Sequence, residues 1–259
     1  MFNIHVFGSG SSGNCIYVDT GDTKFLLDAG LSIKDTKKGL RGANARLSDI
    51  DCIMITHTHG DHILGLKNIV SKYETPIITS FGESFDNKMK EISPSNFRIV
   101  KHRQKIKIGD CTITAYNSIH DTNEPLYFSI ENSVGEKLLY LTDCGSDEGI
   151  NVDEHDVYII EANYYLDGIL DSLKKDVIKV FQYNRTTSGT GHLELNQTIR
   201  ILKDSIGDST KHIILSHLSS SNANGQLFKD KVSESLNFEN IDIATQGLNV
   251  KVGIDTSIF

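Results

Sequence analysis

The chain has 259 residues, 38% hydrophobic and 23% charged, with a formal net charge of −8. That is an ordinary soluble composition, long enough for one large domain or two small ones, with no apolar run near the roughly 20 residues a membrane helix needs. The acidic balance argues against broad adhesion to duplex DNA, which rests on Lys and Arg against phosphate.

Residues Asn3 to Phe7 alternate as a strand does and lead into a glycine- and serine-rich loop, 8–14. Strands are expected over Cys15–Asp19 and Lys24–Asp28, with a turn at Gly21-Asp22. Ser32 can cap a helix towards Leu40. The apolar run 50–55 reads as a buried strand, and 63–70 has helical spacing. Further strands are expected at 75–80, 97–100, 105–108, 111–117, 126–131, 136–142, 157–161 and 212–216, with closing strands in 241–252. Helices are expected at 81–92, 166–183, 193–206 and 223–236. This pattern suggests a single α/β domain over 1–259 with two β-sheets face to face and helices outside. The apolar stripe in 223–236 suits core packing and leaves a homodimer open. Met1-Phe2-Asn3-Ile4-His5-Val6 lacks the basic and apolar segments of a signal peptide, so a cytoplasmic protein is expected. Cys15, Cys52, Cys111 and Cys144 read as reduced buried thiols.

Between the strand at 50–55 and the helix at 63–70 stands Thr56-His57-Thr58-His59-Gly60-Asp61-His62. His57 and His59, two apart on an extended segment, point the same way, while Asp61 and His62 aim differently. His120, Asp143 and His217 each follow an apolar strand, where open α/β sheets bind ligands. Imidazole and carboxylate without thiolate favour zinc, manganese or iron over a purely oxygen-bound magnesium or calcium. Seven residues, His57, His59, Asp61, His62, His120, Asp143 and His217, are therefore expected to hold two divalent ions, zinc or manganese, with Asp143 bridging. His192 is equally a site residue or a helix-start residue. Asp28 is equally a turn acid or the group that fixes a ligand tautomer. His5, His102, His155 and His212 are read as structural or surface residues.

His57-Thr58-His59-Gly60-Asp61-His62 resembles the signature of the metallo-β-lactamase superfamily. Gly8-Ser9-Gly10-Ser11-Ser12-Gly13-Asn14-Cys15, Leu26-Leu27-Asp28-Ala29-Gly30-Leu31-Ser32, His120-Asp121, Thr142-Asp143-Cys144-Gly145, Gly191-His192-Leu193 and His217-Leu218-Ser219 are similar to its YycJ/WalJ branch, small bacterial proteins related to ribonuclease Z and regarded as DNA exonucleases. The resemblance implies a four-layer αβ/βα sandwich. It implies one metal on His57, His59 and His120 and a second on Asp61, His62 and His217. Where the family usually carries a His in the segment 161–165, this chain has Asn163 and Tyr164. The expected reaction is in-line phosphodiester hydrolysis of nucleic acid or a nucleotide. Asp61 orients the water or takes its proton, and His192 donates to the leaving oxygen or holds the phosphate. Arg185, in a polar lid 184–191, and Ser11, Ser12 and Asn14 contact phosphate. Degradation of a small cyclic nucleotide signal and a non-catalytic metal-binding module are the competing readings.

Overall fold

The computed structural model describes residues 1–253. The last six residues of the single domain expected over 1–259 lie outside the described residues. The chain opens with β1 (Phe2–Gly8), β2 (Cys15–Asp19) and β3 (Lys24–Leu27), a meander of antiparallel neighbours. Helix α1 (Ile33–Gly42) follows, capped by Ser32 as expected, whose hydroxyl accepts from the Asp35 N–H at 3.1 Å. Then come β4 (Cys52–Met54), α2 (Gly60–Ile63), α3 (Leu66–Tyr73), β5 (Ile77–Thr79), α4 (Phe81–Ser84) and β6 (Phe97–Ile99). Strands β3 to β6 run parallel. The apolar runs of β4 and β5 suit that position, since parallel strands are covered on both faces, whereas β6 at the sheet edge leaves Arg98 exposed.

The second half holds the antiparallel β7 (Lys105–Ile108), β8 (Cys111–Asn117) and β9 (Leu126–Glu131), then β10 (Lys137–Leu141) and β11 (Val157–Glu161). Helices α5 (Leu166–Lys174), α6 (Val180–Thr186) and α7 (Leu195–Ser205) precede β12 (His212–Ser216), α8 (Gly225–Leu236), β13 (Ile241–Ile243) and β14 (Asn249–Val252). Two seven-stranded mixed sheets result, ordered β14-β1-β2-β3-β4-β5-β6 and β13-β12-β11-β10-β9-β8-β7.

The chain divides into two compact units. One comprises Met1–Asn117, Thr122–Leu138 and the segment from Thr245; the other comprises Ser118–Asp121 and Leu139–Ala244. In the first, Leu40 of α1 and Leu66, Ile69 and Val70 of α3 pack on Tyr17, Leu26 and Ile53 of the sheet. Each such leucine, fully buried, stabilises the fold by roughly 1.5–3 kcal/mol. Helix α8 buries Phe228 and Val232, so its apolar stripe is core, as the sequence favours.

Three helices differ from the sequence expectation. The run 81–92 is helical only to Ser84, because Asp86 turns its carboxylate onto the Lys88 N–H at 2.8 Å and supplies a local alternative to the helix ladder. The run 166–183 breaks after Lys174, where Asp176 takes a left-handed φ of 58° and Ile178 folds back to pack with Tyr164 and Ile169. The helix expected from 63 begins at Gly60 and is interrupted at Gly65. A Cβ there would lie 2.1 Å from the Leu31 carbonyl oxygen, so only glycine lets the two segments meet.

All four cysteines are free and buried. Burial pushes the Cys15 thiol up to about 12 and the Cys111 thiol up to about 11, so thiolate is scarce. A disulfide-exchange reagent at neutral pH is expected to label none in the native protein and all four in denaturant. Stoichiometric native labelling would contradict this packing.

Candidate metal centre

In the first unit the site grows from the end of β4. The backbone stays extended through His59 and then enters α2. His57 and His59 thus share one side, and Thr58 presents its N–H elsewhere, to Glu83 Oε2 at 2.8 Å. Glu83 is fully buried, and its other oxygen accepts from the Glu124 N–H at 2.8 Å. His57 Nε2 and His59 Nδ1 converge to 3.1 Å. Tetrahedral zinc with bonds of about 2.0–2.1 Å holds its ligands roughly 3.3 Å apart, so this nitrogen pair fits a cation.

Asp28 sets the orientation of the imidazoles. It is fully buried at the end of β3 with a left-handed φ of 57°. Its Oδ1 accepts from the Thr56 N–H at 2.9 Å, and His62 Nδ1 donates to its Oδ2 at 2.8 Å. The Thr56 hydroxyl donates its one hydrogen to Asp28 Oδ2 at 3.0 Å and can then only accept from His57 Nδ1, at 3.0 Å. Nε2 of both His57 and His62 is thereby left as a lone-pair donor. Of the two roles open to Asp28 in the sequence, the geometry is that of tautomer fixing.

The turn bearing Asp61 is held from below by the glycine-rich loop. The Asn14 N–H donates to Asp61 O at 2.7 Å, and the Gly30 N–H to Asn14 O at 2.8 Å. A Cβ on Gly30 would stand 1.6 Å from Asp61 O, which forbids any side chain there. Asn14 is itself buried, with its amide nitrogen 2.9 Å from His62 Nε2 and 3.4 Å from Asp61 Oδ2. Its amide thus lies against the turn that bears Asp61 and His62. Ser11 and Ser12 stand exposed on the loop.

In the second unit Asp143, His192 and His217 gather around a residue the motif reading did not select, with the His120 ring beside that of His192. Glu161 ends β11 and is fully buried. Its Oε2 accepts the Cys144 N–H at 2.8 Å and the Leu193 N–H at 3.3 Å, while His192 Nδ1 donates to Oε1 at 2.8 Å. His192 Nδ1 is also 2.9 Å from Asp143 Oδ1, and His217 Nδ1 lies 3.3 Å from both Asp143 Oδ1 and Glu161 Oε1. Ligand-type atoms of Asp143, Glu161, His192 and His217 all fall within 4.8 Å of one another. His120 Nδ1 donates to Gly191 O at 2.9 Å, which leaves Nε2 of the neutral ring with the lone pair.

Burial alone would lower the His192 pKa, but the charges of Glu161 and Asp143 outweigh it and push it up to about 9. Conversely, burial raises the Glu161 carboxyl, and the neighbouring His192 overcomes this and holds it below the usual range. Asp28, Asp143 and His217 all carry a left-handed backbone, with φ of 57°, 48° and 53°. Non-glycine residues in that region cluster at functional sites, where the surrounding structure over-determines them.

Arg185 lies in α6, with its Nε 3.5 Å from Asp121 Oδ2 beside His120. The expected lid 184–191 is thus partly helix, and its remainder is tied by Gly191 N–H to Ser188 O at 2.9 Å and His192 N–H to Thr186 O at 3.0 Å. Asn163, at the departure from the family pattern, donates from its amide to the His217 carbonyl at 2.9 Å. Three of the histidines read as structural have local partners: His102 Nδ1 accepts from the Asn117 N–H at 3.1 Å, His155 Nδ1 is 2.6 Å from Asp153 O, and His212 Nε2 is 3.1 Å from Asp242. A signal for Glu161 did exist, since it is a lone carboxylate closing an otherwise apolar strand. Glu83 had none, because its partners are distant backbone N–H groups.

Buried His and Asp side chains at strand ends, with Nδ1 of His57, His62 and His120 committed to other acceptors, form a candidate metal site. The sequence model of the beta-lactamase superfamily domain matches residues 23–218, and the chain belongs to that superfamily. It is 32% identical over 239 residues to the exodeoxyribonuclease YycJ of Bacillus anthracis, covering 89% of this chain and 88% of that one. It is 30% identical over 228 residues to the exodeoxyribonuclease WalJ of Streptococcus pneumoniae, covering 85% and 83%. Among solved structures, the metallo-beta-lactamase fold protein YhfI of Bacillus subtilis matches 97% of this chain and 100% of its own, with TM-score 0.70 and 17% identity. The fold is therefore the αβ/βα sandwich of this superfamily, as expected. No helix among the described residues is long and apolar enough to cross a membrane.

Proposed function

We propose that the chain is a nuclease that hydrolyses phosphodiester bonds at nucleic-acid ends with two divalent ions, zinc or manganese. One observation carries the reading. Thiolate-free His/Asp clusters with fixed tautomers stand at strand ends in a chain 32% identical to an exodeoxyribonuclease over most of both lengths. His57, His59 and His120 would hold one ion and Asp61, His62 and His217 the other, with Asp143 shared. When bound, such a pair lowers the pKa of water towards neutrality and offsets charge on a phosphoryl oxygen.

The protein's own groups do the rest. Asp61 orients the attacking water and accepts its proton. His192, fixed through Nδ1 by Glu161 and Asp143, presents a proton on Nε2 to the leaving oxygen. Arg185 and the exposed hydroxyls of Ser11 and Ser12 bind phosphate oxygens.

The test is a substrate panel of linear DNA, linear RNA and cyclic mononucleotides, each with manganese and with zinc. Cleavage of linear polymer is expected, and Asp61→Ala is expected to abolish it with the thermal midpoint of the metal-free protein little changed. Turnover of cyclic mononucleotides alone would replace the nuclease reading with signal degradation. Tight metal binding without turnover would leave a metal-binding module.

A further inference from the structure

Helix α1 carries a feature that the metal chemistry does not use. Lys34, Lys37, Lys38 and Arg41 fall at i, i+3, i+4 and i+7, one face of the helix, while Thr36 and Leu40 are buried on the other. From Lys34 to Arg46 five basic residues stand against one acid, Asp35, in a chain of net charge −8. Asp35 is occupied by the Ser32 hydroxyl at 2.6 Å, and Arg46 pairs with Asp49 at 3.1 Å. Among the described residues no carboxylate pairs with Lys34, Lys37, Lys38 or Arg41. Like charges at this spacing repel and weaken a helix, whereas a merely solvated face mixes its signs.

Beside the stripe lies a cavity of about 280 Å³ lined by Lys37, Leu40, Arg41, Arg46 and Tyr73. The Tyr73 ring is flanked by two cations, with Lys37 Nζ 5.7 Å and Lys72 Nζ 5.8 Å from its centroid. Cations around an aromatic ring over an apolar floor match the combination that holds single strands, phosphates on the charges and a base against the ring. The stripe also starts at the metal turn. Ser32, which caps α1, lies two residues beyond Gly30, whose Cα abuts Asp61 O. From there α1 leads away for ten residues, about 15 Å at 1.5 Å per residue.

We propose that the outer face of α1, together with the Tyr73 cavity, is a docking surface for the phosphate backbone of a single-stranded nucleic acid running to the metal turn. The proposal rests on the nuclease reading and narrows its substrate to a single strand whose backbone reaches beyond the metals along α1.

The experiment measures binding of a fluorescent oligothymidylate to the full chain in EDTA, over a series of salt concentrations. It compares wild type with Lys37→Ala/Lys38→Ala/Arg41→Ala and with a control of equal charge change, Lys101→Ala/Lys174→Ala/Lys203→Ala. None of the six side chains is buried, so both variants keep the core intact. The first variant is expected to bind at least about ten-fold more weakly at low salt. Its slope of log K against log salt is expected to fall by about 2, near 0.7 for each single-strand phosphate no longer neutralised. The control is expected to keep the wild-type slope. Equal weakening in both variants, or no binding by wild type, would overturn the proposal. Absence of phosphodiester turnover in the metal-loaded enzyme would instead sink the nuclease reading, and this turnover-free binding measurement separates the two failures.

Discussion

Asp28→Asn is expected to weaken metal binding about 10- to 100-fold and to lower the thermal midpoint, although the change is one atom. The Asp28 carboxylate accepts from the Thr56 N–H, the Thr56 hydroxyl and His62 Nδ1. An asparagine keeps one acceptor oxygen and turns an N–H₂ towards a neighbour that is itself a donor. His62 must then flip its tautomer, which puts a proton on Nε2, the nitrogen proposed to hold the metal, or lose its partner. Groups outside the ligand set that orient ligand histidines typically govern metal affinity by that factor. Each buried group left unsatisfied costs about 1–3 kcal/mol. Asparagine tolerates the left-handed φ at this position, so backbone strain adds little. Chelator competition and thermal unfolding of the metal-free protein measure the two effects. Wild-type metal affinity in the variant would remove Asp28 from the site.

Glu161→Gln is expected to lower kcat on the order of 10²-fold with KM little changed, because Glu161 holds His192, proposed above as the proton donor, rather than substrate. A second readout separates positioning from simple damage. In the metal-free protein the His192 pKa is raised from 6.5 to about 9, with Glu161 the first of the charges that overcome burial. A raised histidine pKa means that the folded state holds the proton more tightly than the unfolded chain. This contribution to stability is fully present below pH 6.5 and lost as pH rises through about 9. The glutamine variant is expected to titrate His192 at lower pH by NMR and to lose less stability across that window. An unshifted His192 titration would show that Glu161 does not control it.

The two residues differ in how far sequence alone exposes them. Asp28 sits in a recognisable Leu-Leu-Asp-Ala-Gly run, yet that run fits a turn acid and a histidine partner equally well. The distinction lies in a hydrogen bond to His62, 34 residues away. Glu161 ends a strand that reads as apolar core, and only the meeting of His192, His217, Cys144 and Leu193 around its carboxylate gives it a function. Asn14 departs in the other direction. A glycine-serine loop suggests phosphate binding, but folding turns its buried amide onto His62 and the Asp61 turn. The helices over 81–92 and 166–183 break where side chains or distant packing partners outcompete a local ladder, at Asp86 and at Ile178.

Local chemistry was written in the order of residues. Strand runs such as 105–108, 111–117, 126–131, 157–161 and 212–216, the Ser32 cap and the His57 to His62 motif follow from side-chain period and residue type over a few positions, which no distant contact needs to supply. Tertiary structure decided which nitrogen of each imidazole stays bare, which carboxylate steadies it, and where a glycine must let backbones touch. Those outcomes depend on groups tens of residues apart meeting at hydrogen-bonding distance, and a linear pattern carries no distances.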